Sequence, residues 1–244
     1  MKIGNAVSLV TMTIGILTSL SFASGLAQGP ATPEQIVAAV KQNLGESQKR
    51  LREYEWIETT VISLKGEEKA RKQQRAYYGA DGKLTKVPIG EPQPEAAQGR
   101  RGGRGGRLKE KVVENKKGEM HEYMERAAAL VHRYVPPNPE QIQKAKDGGK
   151  MLVRPPEQGK VRVEFPDYLQ PADLLAIDVD AAAARLGAIS VATYLDTRED
   201  AVTLDVRFGA LTDGTSYTAQ TTLDAKAKNI RVVIENSGHR PLAR

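Results

Sequence analysis

Between Val161 and Ile234 the chain alternates apolar and polar residues in separate runs: Val161/Val163/Phe165, Ile189/Val191/Thr193/Leu195, Val202/Leu204/Val206/Phe208, Tyr217/Ala219/Thr221/Leu223 and Ile230/Val232/Ile234. A period of two puts every second side chain on the same face of a strand, so each run predicts a strand with one covered and one wet face. In the third run the outward partners are Thr203, Asp205 and Arg207. Turn signals separate the runs: Thr197 to Asp200, Thr212-Asp213-Gly214, and Asp224 to Lys228. Connections that short join antiparallel neighbours, and a sheet with one apolar face needs something packed on it.

The first half supplies the cover. Thr32-Pro33-Glu34-Gln35 carries the residue types of a helix start, and Ile36, Val40, Leu44 and Leu51 follow at helical spacing, predicting an amphipathic helix of about five turns. Tyr54 to Leu64 is rich in aromatic and β-branched residues, Lys65-Gly66 turns the chain into a polar strand ending at Tyr77-Tyr78, and Ala80-Asp81-Gly82 turns it again towards Leu84 and Val87. A second helical stretch follows residue 107 and is clearest from Glu119 to Val135, with Met120, Tyr123, Met124, Ala127, Leu130, Val131 and Tyr134 on one stripe. Pro136-Pro137 ends it, Asn138-Pro139-Glu140 opens a short third helix, and Gly148-Gly149 closes that one. The expected fold class is α+β: residues 28–244 form a single domain, with one large antiparallel, half-barrel-like sheet of eight to ten strands and helices on its apolar face.

Two segments fall outside this pattern. Met1-Lys2 is followed by an uncharged run from Ala6 to Ala23 and by Gly25-Leu26-Ala27, small residues at the −3 and −1 positions of a peptidase site. Residues 1–27 therefore read as a signal peptide and predict a periplasmic or secreted protein with no transmembrane anchor after cleavage. The chain has 0 cysteines, which excludes disulfides, Zn–thiolate sites, a Cys nucleophile and the lipidated Cys of a bacterial lipoprotein. From 88 to 107 the composition switches to Pro, Glu, Gly and Arg, without an apolar residue that would repay its ordering entropy, and it is expected to be a disordered loop. Arg100, Arg101, Arg104 and Arg107 resemble the arginines of RGG tracts and are candidate polyanion contacts. Export removes the usual RNA partner, so no specific nucleic acid is expected, and a lipid phosphate or another anionic envelope component takes its place.

Chemistry-bearing motifs are scarce. Of the 3 histidines, His121 begins a zinc-protease pattern, but Glu125 stands where the second ligand belongs. His132 returns to nearly the same helix face roughly 16 Å along the axis, too far to share a metal. His239 is expected to be exposed in a polar C-terminal tail. Nucleophile elbow, phosphate loop and EF-hand patterns are absent. The carboxylates worth weighing are Asp178 with Asp180 on one strand, and Glu55 with Glu58 flanking Trp56. No catalytic residue, metal or cofactor is assigned.

In element order (signal peptide, amphipathic helix, three-strand meander, helical segment, long antiparallel run) the chain resembles the periplasmic lipoprotein-carrier superfamily, LolA/LolB-like proteins and their sensor relatives. Tyr134-Val-Pro-Pro, Ala192-Thr-Tyr-Leu-Asp196 and Leu211 to Tyr217 resemble strings of uncharacterised exported bacterial proteins. The resemblance implies a curved sheet closed by helices over an apolar cavity, with Trp56, Ile62, Met120, Tyr123, Met124 and Leu130 as candidate ligand-binding residues. Such a cavity buries acyl chain at about 0.8 kcal/mol per methylene, and methionines adapt to varied ligands. The competing reading, favoured for any single one of these side chains, is that they fill the core against the sheet. The expected function is a non-enzymatic envelope protein binding a lipid, a lipopeptide or another amphipathic ligand. The alternative is a solid-cored interaction protein for a protein or polyanionic partner, with a carboxylate-dependent hydrolase third.

Overall fold

A computed structural model describes residues 33–90, 106–157 and 159–242, with side chains described for 35–90 and from 118 onward. The expected signal peptide at 1–27, Thr32, Arg100, Arg101 and Arg104 lie outside the described residues. The elements run α1 (Pro33–Leu51), β1 (Tyr54–Leu64), β2 (Glu67–Tyr78), β3 (Leu84–Pro88), α2 (Gly106–His132), α3 (Pro139–Asp147), β4 (Leu152–Val153), β5 (Lys160–Pro166), β6 (Leu174–Asp180), β7 (Arg185–Tyr194), β8 (Ala201–Ala210), β9 (Ser216–Ala225) and β10 (Ile230–Pro241).

All ten strands form one open antiparallel sheet in the order β3-β2-β1-β10-β9-β8-β7-β6-β5-β4. Each half is a meander dictated by its short turns, and the halves are joined where β1 pairs with β10, as in Thr60 opposite Ile234 and Ile62 opposite Val232. The fold class is the α+β arrangement that the alternation predicts.

The alternating apolar residues form the core. Leu175, Ile189, Val191, Val202, Leu204 and Val206 from the sheet are at most 2% exposed, and Ala127 and Val131 near the C-terminal end of α2, with Tyr134 just past it, close over them. α1 adds Val40, with Ile36 and Leu44 packed beside it, following its predicted stripe. The opposite face is polar and carries cross-strand ion pairs such as Arg162–Asp178 and Arg231–Asp224. Pairs this exposed add little to stability.

Two boundaries differ from expectation. α2 begins at Gly106, close to where the expected helical stretch opens, and Lys- and Glu-rich sequence favours helix up to Glu119 even without a clean apolar stripe. The segment expected to be a loop from 88 to 107 therefore loses both ends: Pro88 closes β3, and Arg107 lies in the first turn of α2. Sequence periodicity also overlooked β4, which at two residues is too short to show any.

α3 starts where the sequence predicted. Asn138 has extended backbone, and its side-chain carbonyl accepts from the Glu140 N–H at 2.8 Å and the Gln141 N–H at 3.4 Å. Asn138→Ala is expected to cost about 1 kcal/mol in urea unfolding, and a Gly at the same position a few tenths; equal losses for both would mean that the cap contributes nothing.

Candidate functional site

Where α1 crosses the sheet, the packing leaves a cleft. Leu44, Gln48 and Leu51 of α1 form one wall. Trp56 and Glu58 of β1, Tyr78 of β2, Leu84 of β3, Phe208 of β8, Tyr217 of β9, and Asn236 and His239 of β10 form the floor and the other wall. Its void is about 90 Å³.

A β-bulge builds the aromatic part. Glu55 pairs with Arg240 and Ile57 with Ser237, so Trp56 alone stands opposite both Gly238 and His239. Gly238 takes φ of 62°, the left-handed conformation that a glycine supplies at a bulge. The extra residue brings His239 onto the face shared by Trp56, with ring centroids 5.6 Å apart and planes 18° from parallel. Tyr217 lies against the imidazole at 4.1 Å, and Tyr78 tilts against the indole at 5.9 Å. Gly209, paired with Tyr217, leaves room for that ring: a Cβ there would lie 2.9 Å from its Cζ.

Polar groups orient these rings. The Trp56 indole N–H donates to Asn236 Oδ1 at 3.0 Å, and the Asn236 amide N–H donates to the Thr218 carbonyl at 2.9 Å. Glu58 is held by Lys86, whose Nζ lies 2.8 Å from Oε1 and 2.7 Å from Oε2. Burial lowers the His239 pKa to about 4, so the imidazole is neutral at neutral pH. Burial raises that of the Tyr78 phenol, an effect that nearby Arg52 opposes.

Polar contacts fasten α1 to β9. The Ser47 hydroxyl accepts from the Ser216 N–H at 2.9 Å, and the Ser216 hydroxyl donates to Asn43 Oδ1 at 2.8 Å. Just past the helix, the Tyr54 hydroxyl donates to Asp213 at 3.0 Å.

Of the residues predicted to line a cavity, Trp56 lines this cleft. Tyr123 and Leu130 are buried in the core, and Ile62, Met120 and Met124 pack against it. The α2 stripe fills the space over the sheet, so those five do not join Trp56. The expectation for His239 is corrected: it lies inside β10, half-buried between two rings, instead of exposed in a tail. The Ser237-Gly238-His239 string carried that signal, since a glycine within a strand marks a bulge.

The weighed carboxylates are structural in their surroundings. Glu55 and Glu58 lie on opposite faces of β1; Glu55 pairs with Arg240 and Arg75, Glu58 with Lys86. Asp178 is held by Arg162, and Asp180 accepts from the Ala183 N–H. His121 pairs with Glu125 one turn along α2, and burial lowers the His132 pKa. Among the described residues no cluster of three or more His, Asp or Glu could hold a metal ion, and no helix is long and apolar enough to cross a membrane.

The fold and cleft define an α+β protein with a single open antiparallel sheet and one helix closing an aromatic recess. Its chain is similar to the crystal structure of a DUF1329 family protein from Desulfovibrio piger, with 13% identity over 83% of this chain and 93% of that one and a TM-score of 0.34. No protein-family model and no curated protein sequence matches it.

Proposed function

We propose that this is a non-enzymatic exported protein that binds an amphipathic ligand, of lipid or lipoprotein type, between α1 and the sheet. The observation that carries this reading is the cleft itself, a mostly apolar and aromatic recess with a few convergent polar groups, which is the usual composition of a small-molecule site. Its void of about 90 Å³ is smaller than the roughly 150 Å³ cavity that takes one benzene, so in this form it holds a ligand's head or chain end. A longer chain enters when α1 lifts, which breaks the Ser47–Ser216 hydrogen bond and uncovers the apolar contacts of Ile36, Val40 and Leu44.

Export and a periplasmic or secreted site of action rest on the expected signal peptide at 1–27 and belong to the same proposal. The filled core beneath α2 favours a second reading, a solid-cored protein that binds a protein or polyanionic partner by its surface.

Native mass spectrometry of protein purified from the envelope separates the two. A bound mass of acyl-chain size supports the first, and a ligand-free mass with no uptake of added lipid supports the second. The lifting of α1 has its own test. Because the chain has 0 cysteines, Ser47→Cys with Ser216→Cys creates one defined disulfide across the fastening. The oxidised variant is expected to take up a long-chain amphiphile about tenfold more weakly than its reduced form. Equal uptake by both forms would show that α1 does not move.

A further inference from the structure

We propose that the head of the ligand is an alkylammonium group, bound by Glu58 among the cleft's rings in place of the Lys86 ammonium; this rests on the reading that the cleft takes an amphiphile.

Among the cleft-lining residues Glu58 is the one with a formal charge, since the His239 imidazole is neutral at neutral pH. Its side chain is only 10% exposed, and a carboxylate so placed needs a cation beside it. Lys86 supplies one from β3, an edge strand of the sheet, and is not itself part of the lining. A lysine ammonium sits on a flexible four-carbon stem, so it can swing out to water. Exchanging one ammonium for another keeps the carboxylate paired, whereas an anionic head would place a second negative charge beside it.

The rings supply the other half of the recognition. Trp56, Tyr78 and Tyr217 surround the recess, and aromatic faces attract cations, most strongly when the cation is desolvated and the ring is indole. A quaternary ammonium, which donates no hydrogen bond, gains most from such faces. The void of about 90 Å³ is smaller than the roughly 150 Å³ cavity that takes one benzene, which suits a compact head better than an acyl chain.

The chain's 1 tryptophan is Trp56, so intrinsic fluorescence reports the site directly, with calorimetry as the independent readout. The probes are decyltrimethylammonium, decanoate and decyl maltoside below their micellar concentrations, and tetramethylammonium as the head alone. Decyltrimethylammonium is expected to bind about tenfold tighter than either other decyl probe. Lys86→Met, which removes the competing ammonium, is expected to tighten it further, and Glu58→Gln to weaken it about tenfold.

Equal affinity for all three decyl probes, or weaker ammonium binding by Lys86→Met, overturns the ammonium assignment and leaves the amphiphile reading standing. Tetramethylammonium binding as tightly as its decyl form supports the ammonium site and removes the amphiphile. Binding of none of the probes overturns both. The wild-type comparison of the probes stands even if either variant, each of which strands one member of the buried Glu58–Lys86 pair, fails to fold.

Discussion

Replacing Asp173 with alanine is expected to lower stability by about 4 kcal/mol or more, read as a fall in the urea midpoint with an unchanged slope. Asp173 is 2% exposed and collects hydrogen bonds from three backbone N–H groups and one phenol. Its Oδ1 accepts from Tyr168 N–H at 2.5 Å, and its Oδ2 from Leu169 N–H and Gln170 N–H, both at 2.9 Å, and from Tyr134 Oη at 2.5 Å. Thr193 and Gln170 extend the network, since Thr193 Oγ1 lies 2.8 Å from both Tyr134 Oη and the Gln170 side-chain nitrogen.

Alanine would strand those donors in a dry environment, and each buried unsatisfied group costs about 1–3 kcal/mol. The loss is a large share of the roughly 5–15 kcal/mol that holds a domain folded. Tyr134→Phe removes one member and is expected to cost about 1–2 kcal/mol. Burial and the Asp173 hydrogen bond both raise the Tyr134 phenol pKa, so it remains a donor across the accessible pH range. A loss under about 1 kcal/mol for Asp173→Ala would mean that water replaces the carboxylate.

Acid is expected to loosen the fold through His239. The imidazole titrates near 6.5 when unfolded, whereas burial between Trp56 and Tyr217 lowers its folded pKa to about 4. Above pH 6.5 both states are neutral and His239 contributes no pH dependence. Between 6.5 and 4 the unfolded state binds the extra proton, so stability falls with falling pH and the loss is complete below 4. Discounted for the ring's partial exposure, its size is on the order of 2 kcal/mol. His239→Phe keeps the stacked ring and removes the proton site, so its stability is expected to stay flatter than wild type across that window. Parallel urea midpoints for the two proteins from pH 7 to 4 would show that the imidazole does not titrate as a buried group.

The elements themselves were largely legible from neighbours in the chain. Period-two alternation located β5, β7, β8, β9 and β10, the Asn138-Pro139 start and Gly148-Gly149 stop bounded α3, and the apolar stripe of α1 matched the face it buries. Each depends on groups a few residues apart, which is the range over which backbone hydrogen bonding, capping and side-chain direction act. The first turns of α2 were less sharply marked, because propensity without an apolar stripe leaves no periodic signal.

The cleft was only partly legible. Trp56 stood out as the sole indole beside two acids, but its neighbours come from β2, β8, β9, β10 and α1, distant in sequence. His239 meets Trp56 because β10 pairs with β1 across the whole chain and bulges at Gly238, and no local pattern specifies which distant strand becomes a neighbour. Lys86 likewise reaches Glu58 only because β3 lies two strands from β1 in the sheet. By itself, then, the sequence determined the longer strands, the helices, the absence of any thiol site and the expectation of export. Tertiary structure decided that α2 fills the sheet's apolar face while α1 leaves a recess, because long-range pairing and side-chain volume determine where packing closes and where it does not.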